Sequence, residues 1–284
     1  MPIAATCASI AAILATAQGG ETIALSGTCP TITIARSYAR PVTIDAARAR
    51  VGGVVLSGAN IRWSGGTLFA PGGLDGKGPL GYAVLIRGGR NVRVERAIVT
   101  GAKKGMVIDK ARSIVVDRVQ FLALREDGII ASETAGLTVT NSRFADSIPR
   151  PSSCTSAAGI VTMAVPHRDC RGVWSDGNHP DAVQMRNGVT DVLIANNTVR
   201  GPTAGMTQMD TTGDAPLARV VIENNRIETS TYHQITLTEC TDCAIRGNIV
   251  RAEKGWGKRA VIRPGQARRC GNDTTDEARD KACR

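Results

Sequence analysis

The chain has 284 residues, 42% apolar and 21% charged, and its 35 basic against 25 acidic side chains give a formal charge of +10. This balance excludes a disordered polyelectrolyte, and no apolar run approaches the roughly 20 residues a membrane-spanning helix needs. The basic excess selects for an acidic partner, either nucleic acid or an anionic polysaccharide. Three Trp, three Tyr and three Phe are too few for most sandwich or barrel cores, whereas 31 glycines suit a fold with many turns.

From the N-terminus, Met1 to Gly20 lacks the basic start of a signal peptide and contains Cys7, so an exported protein would be present here in mature form with an added start Met. The eight cysteines fall as sequence neighbours, Cys7 with Cys29, Cys154 with Cys170, Cys240 with Cys243 and Cys270 with Cys283. Neighbour pairing is the simplest arrangement when each pair brackets one loop or terminus, and four disulfides place the chain in an oxidising compartment, secreted or periplasmic. A structural zinc remains the alternative, but only Cys240-Thr-Asp-Cys243 has the spacing of a metal knuckle. Asp75-Gly-Lys-Gly78 lacks a phosphate-loop pattern and reads as a turn.

A repeat then occupies the middle of the chain. Val94-Glu-Arg-Ala-Ile-Val99, Val116-Asp-Arg-Val-Gln-Phe121, Val139-Thr-Asn-Ser-Arg-Phe144, Ile194-Ala-Asn-Asn-Thr-Val199, Ile222-Glu-Asn-Asn-Arg-Ile227 and Ile245-Arg-Gly-Asn-Ile-Val250 align at steps of 22, 23, 55, 28 and 23 residues. Period-two alternation makes these strands, and a unit of strand, turn, strand, loop and strand is one rung of a solenoid. The longest step holds an insertion, about 148–178, with its own cysteine pair. Ser142, Asn197, Asn225 and Asn248 share one position at the bend, where Asn tolerates a left-handed conformation and can hydrogen-bond its stacked copies. Val99, Phe121, Phe144, Val199, Ile227 and Val250 form an inward stack.

These rungs resemble the right-handed parallel β-helix family of pectate-lyase-like, carbohydrate-active proteins. The resemblance implies an all-β, single-domain chain (1–284) with a short N-terminal capping helix, a long loop insertion over a groove, and a polar C-terminal tail from 264. Ala8 to Ala17 resembles the cap, Gly19 to Leu25 the first strand, and Cys7 to Cys29 would staple one to the other; Cys270 to Cys283 would tie down the tail.

After the insertion, reactive side chains are dense: Ser175-Asp-Gly-Asn-His-Pro-Asp-Ala-Val-Gln184, Met206-Thr-Gln-Met-Asp210, Tyr232-His-Gln234 and Lys254-Gly-Trp-Gly-Lys-Arg259. Rungs about 4.8 Å apart would stack such positions into a groove a few sugars long, with Gln184 and Gln208 at corresponding places. All three histidines, His167, His179 and His233, fall in this region, and His179-Pro-Asp-Ala-Val-Gln184 resembles a groove-lining stretch of several β-helix proteins. A lyase acting on a uronate needs a base, an acid for the leaving oxygen and cations for the carboxylate. His179 and His233 are candidate bases, with Asp181 orienting a histidine or acting directly. Arg186, Lys258, Arg259 and Arg263 are candidate cations, Gln184, Gln208 and Asp210 candidate substrate ligands, and Trp174, Tyr232 and Trp256 candidate sugar platforms. Each has a plainer alternative, as a solvated charge or a loop-covering ring. No cofactor is demanded; calcium is the one candidate, with Asp176, Asp181 and Asp210 as oxygen donors but no Asp-rich loop.

The expected activity is therefore β-elimination on an acidic glycan by a monomer that binds neither nucleic acid nor membrane. An inverting hydrolase using Asp181 and Asp210, with Asp176 and Glu239 in reserve, is the second reading. The Asn-Thr-Asp and Asp-Asp signatures of polygalacturonase-type hydrolases are missing. A non-catalytic glycan-binding solenoid is the third.

Overall fold

A computed structural model describes residues 1–284 except 166, 176, 209–212, 232, 255–258, 276–279 and 284. It is all-β apart from one short helix and three single turns of tighter helix. Most rungs contribute three strands. One series forms a nine-stranded parallel sheet, running from Ile32–Ile34 through Ile129–Ser132, Asp181–Arg186, Ala204–Thr207 and Ile235–Thr236 to Ile262–Arg263. The other two series join at a bend and form a continuous parallel surface around the rest of the coil.

The repeat alignment is the hydrogen-bonding register. Val94 pairs with Val116, Val116 with Val139, Val139 with Ile194, Ile194 with Ile222 and Ile222 with Ile245. Because Val139 and Ile194 are direct neighbours, the 55-residue step is a single rung carrying the insertion. The column from Val99 to Val250 is buried throughout, and within it the Phe121 and Phe144 rings stack with centroids 4.6 Å apart.

At the bend the side-chain amides form a continuous chain. The Ser142 N–H donates to Asn197 Oδ1 (2.9 Å), Asn197 N–H to Asn225 Oδ1 (2.9 Å), Asn225 N–H to Asn248 Oδ1 (3.0 Å) and Asn248 N–H to Asn272 Oδ1 (2.9 Å). Each Asn Nδ2 also donates to a main-chain carbonyl of the preceding rung. Two sequence expectations are corrected here. The ladder residues are not the left-handed ones: positive φ falls on the residue before, at Arg96, Arg118, Asn141, Asn196, Asn224, Gly247 and Gly271. That residue turns the chain and so frees the next amide to point inward. The ladder also runs one rung further, to Asn272, because the segment read as a polar tail contains two more strands, Arg268–Cys270 and Asp273–Thr274.

The N-terminal end is covered by helix Ile10–Thr16, whose Ile10 and Leu14 are buried. A strand missed in the sequence, Ile3–Ala5, precedes it and pairs with Thr22–Cys29. All eight cysteines are paired as neighbours: Cys7 to Cys29, Cys154 to Cys170, Cys240 to Cys243 and Cys270 to Cys283. This removes the zinc alternative at Cys240 and Cys243. Among the described residues no helix is long and apolar enough to cross a membrane.

The amide ladder gives a direct stability test. Asn225→Ala strands the buried Asn197 N–H and Ile194 carbonyl, and a buried group without its partner costs about 1 to 3 kcal/mol. A loss of about 3 kcal/mol is expected from chemical denaturation. A loss below about 1 kcal/mol would show that the ladder is not structural.

Candidate active site

The insertion root lies beside the nine-stranded sheet. Its body is a small antiparallel sheet of Ser153–Thr155, Val161–Met163 and Val173–Ser175, closed by Cys154 to Cys170. Arg150 ties its root to Asp75 (2.7 Å) in the turn-rich loop of an earlier rung. Two sequence candidates contact each other within the insertion, His167 exposed and Trp174 half-buried. Trp174 Nε1 donates to the Val165 carbonyl (2.8 Å), and the His167 ring packs on the Trp174 ring with centroids 4.8 Å apart. Trp174 is thus half-buried and tied to the insertion by its indole N–H and by the His167 ring.

The chain re-enters the coil through His179 and Pro180 into strand Asp181–Arg186. Parallel register then aligns Gln184 with Thr207, Thr207 with Thr236 and Thr236 with Arg263 along one face. This corrects the expected match of Gln184 with Gln208. Gln208 is buried and its amide is consumed within the fold: Oε1 accepts the Thr238 and Glu239 N–H groups, each at 3.0 Å, and Nε2 donates to the Glu239 carbonyl (3.0 Å). One residue of register separates a groove position from an internal brace. Thr236 was not anticipated, because a threonine in a strand carries no signal in sequence.

His233 sits just before strand Ile235–Thr236, two rungs after His179, a separation of about 10 Å along the coil. Its Nδ1 is 3.3 Å from Thr236 Oγ1. Burial, reinforced by the positive charges of Arg263 and His179, pushes its pKa below the usual imidazole value. The structure therefore brings His179, His233 and Arg263 into one electrostatic neighbourhood, with His233 half-buried and the other two exposed. Arg259 is exposed as well, and Arg186 stands 3.4 Å from Asp214. Tyr232, Asp210, Trp256 and Lys258, with Asp176, lie outside the described residues.

Asp181 is fully buried. Its Oδ2 accepts from Gln184 Nε2 (3.0 Å), and its main-chain N–H donates to Asp127 Oδ1 (3.0 Å). Asp127 was also missed in the sequence. Burial raises its pKa against the opposing pull of Lys104, whose Nζ is 3.7 Å away. A signal was present: Asp127-Gly-Ile-Ile130 aligns with Asp181-Ala-Val-Gln184, as the register confirms. Beneath the histidines lies a seam of Lys104, Asp127, Asp181 and Gln184. Among the described residues no three His, Cys, Asp or Glu side chains are grouped to hold a metal ion; of the candidate calcium donors, Asp176 and Asp210 lie outside the described residues.

No family model matches the sequence, and no curated protein matches it significantly. Solved structures do match. The alginate lyase from Paenibacillus sp. str. FPU-7 superposes with a TM-score of 0.53 at 15% identity, covering 99% of this chain and 98% of that one. The Dettilon tailspike protein matches at 0.52 and 15%, over 93% of this chain and 56% of its own, and the pectate lyase Pel9A at 0.50 and 15%, over 86% and 57%. The chain thus spans a little over half the length of the tailspike and of the pectate lyase. Together with the parallel register, these likenesses define the fold. The chain is a right-handed parallel β-helix.

The electrostatic coupling at His233 is measurable by NMR titration. Its midpoint is expected below 6.5, and Arg263→Gln should move it upward, since removing a nearby positive charge eases protonation. A midpoint indifferent to Arg263 would mean that the two side chains do not share a site.

Proposed function

We propose that the protein cleaves a uronate-containing polysaccharide by β-elimination in a groove along the nine-stranded sheet. The observation that carries this reading is the half-buried His233, braced by Thr236 and kept neutral by burial and by the charges of Arg263 and His179. A neutral imidazole can accept a proton near neutral pH, and a guanidinium beside it suits the carboxylate of the sugar whose proton is removed. The likeness in fold to an alginate lyase and a pectate lyase supports this choice of chemistry.

In the proposed step the uronate carboxylate lies against Arg263, which stabilises the charge that develops when the adjacent ring carbon loses its proton. His233 takes that proton. The electron pair left behind forms the new ring double bond, and the bond to the glycosidic oxygen breaks. His179 would donate the proton that this oxygen takes up, and exchange with water restores both imidazoles. Asp181, enclosed and held by Gln184, would position the start of the strand that follows His179. Arg186, Arg259 and Lys258 would extend the positive field along the chain of sugars, with Tyr232 and Trp256 as stacking faces and Asp210 as a hydroxyl ligand. The four disulfides suit a secreted or periplasmic protein.

The inverting-hydrolase reading needs an open pair of carboxylates. The burial of Asp181 disfavours it, since that carboxylate is spent on Gln184.

Incubation with polymers of galacturonate, mannuronate, guluronate and glucuronate should produce new reducing ends together with the ultraviolet absorbance of an unsaturated uronate. Reducing ends without that absorbance would establish a hydrolase, and neither signal would leave a binding solenoid. His233→Ala should lower kcat by a factor on the order of 100 or more. The acidic limb of the kcat/KM profile should fall below pH 6.5, because the lowered pKa keeps the base unprotonated there. Full activity in His233→Ala would remove the assignment.

A further inference from the structure

Away from the nine-stranded sheet, the bend of the early rungs contains a hollow of about 580 Å3, lined by Thr22, Thr43, Asp45, Arg62, Ser64 and Arg96, with Gly65 and Gly66 behind them. Small-molecule sites commonly measure about 300 to 1,000 Å3. The hollow exists because this bend is built differently from those that follow. Strand Val42–Gly52 runs unbroken past it, pairing with Ala59–Ser64 at one end and Thr67–Phe69 at the other. In the next rung Gly65 and Gly66 take the turn at φ +76° and +82°. A Cβ on Gly66 would come within 2.6 Å of the Ala46 carbonyl, and one on Gly65 within 3.1 Å of Ala47 Cα. The absence of side chains lets the bend press against the strand below, and its outer side is recessed.

Two guanidiniums are fixed over this recess by one buried carboxylate. Glu95 is fully buried, and its Oε1 receives Arg62 Nη2 (2.6 Å), Arg62 Nε (3.0 Å) and Arg96 Nη2 (2.8 Å). Arg93 bonds its other oxygen. Burial opposes ionisation of Glu95, but the bonds from Arg93 and Arg62 and the charges of Arg62 and Arg96 outweigh it, and its pKa is lowered. Arg96 Nη2 also reaches Ser64 Oγ (2.7 Å). Among the described residues, Arg62 Nη1 and Arg96 Nε and Nη1 have no protein acceptor. These donors are oriented without being used, which is the preorganisation that carboxylate recognition rewards. On the same lining, Asp45 accepts the Ala47 N–H (3.2 Å), and Thr22, Thr43 and Thr67 add hydroxyls.

We propose that this hollow is a second glycan-binding site, taking one acidic sugar unit with its carboxylate on Arg62 and Arg96 and its hydroxyls on Asp45 and the threonines. The choice of a uronate rests on the proposed function. Asp45 accepts from sugar hydroxyls and would repel a doubly charged sulfate or phosphate more strongly than a singly charged uronate. A site on a different face from the groove would hold the polymer while the groove acts on it, so that the two act as linked binding modules.

The test is calorimetric titration with trimers of galacturonate, mannuronate and guluronate. The starting protein is His233→Ala/Arg263→Gln, which disables the groove and prevents turnover. At least one trimer should still bind. Adding Arg62→Gln/Arg96→Gln should weaken it tenfold or more, as should methyl esterification of the trimer. Because Arg62 and Arg96 support Glu95, Thr43→Trp serves as a second variant that fills the hollow and leaves those ion pairs in place; it should abolish the same binding. No binding by any trimer once the groove is disabled, indifference to both pocket variants, or equal binding of sulfate would overturn the site. The elimination assay on the unaltered protein separates the two ideas. Elimination without pocket binding removes only the second site, and pocket binding without elimination removes only the proposed reaction.

Discussion

The structure depends on one constraint: each rung must lie in hydrogen-bond register on the last, at a spacing of about 4.8 Å. Register makes columns, and a column gives each of its residues nearly the same surroundings. The aliphatic columns fill the interior, the Asn ladder satisfies the bend from Ser142 to Asn272, and the preceding column supplies the left-handed residue that makes the bend. A buried amide row of this kind is stable only when complete, because every oxygen accepts from the rung before it and every Nδ2 needs a carbonyl. The same regularity lets a 55-residue step occur without disturbing the coil, since Val139 still meets Ile194.

The polar clusters gather where this regularity is relaxed. The insertion leaves and rejoins the coil at the rung that carries His179, and short strands on the following rungs place His233 and Arg263 nearby. Burial is used in opposite ways at the two sites. At His233 it combines with positive neighbours to lower the pKa of an imidazole. At Glu95 it is outweighed by guanidiniums, and the ionised carboxylate serves as an anchor that fixes them. A buried charge surrounded by partners costs little further reorganisation when a ligand arrives.

Much of the architecture was legible in the residues. Period-two alternation with steps near 23 residues disclosed the strands and their stacking, because parallel pairing repeats chemistry at a fixed interval. The cysteine pairs were legible because each bridges a short loop or a terminus. The left-handed position was misplaced by one residue, since Asn occurs at both Asn224 and Asn225 and composition does not distinguish the turning residue from the bonding one. The final strands were missed because Arg268–Cys270 and Asp273–Thr274 are too short and polar to alternate visibly.

The candidate site was legible only in part. The crowding of His179, Asp181, Gln184 and His233 drew notice as composition, and their rung assignment followed from the repeat. Gln208 and Trp174 were assigned to the groove on chemical type, yet one braces a turn and the other bonds within the insertion. The sequence by itself determined the coil, its disulfides and the segment where polar chemistry gathers, because local alternation and repeat length dictate strands and their spacing. Only the tertiary structure decided which polar side chains are buried and spent, which share a field, and where two glycines recess a surface beneath fixed guanidiniums. Those outcomes depend on which rungs become neighbours, and residues 33 positions apart, Arg62 and Glu95, meet only after the chain has coiled.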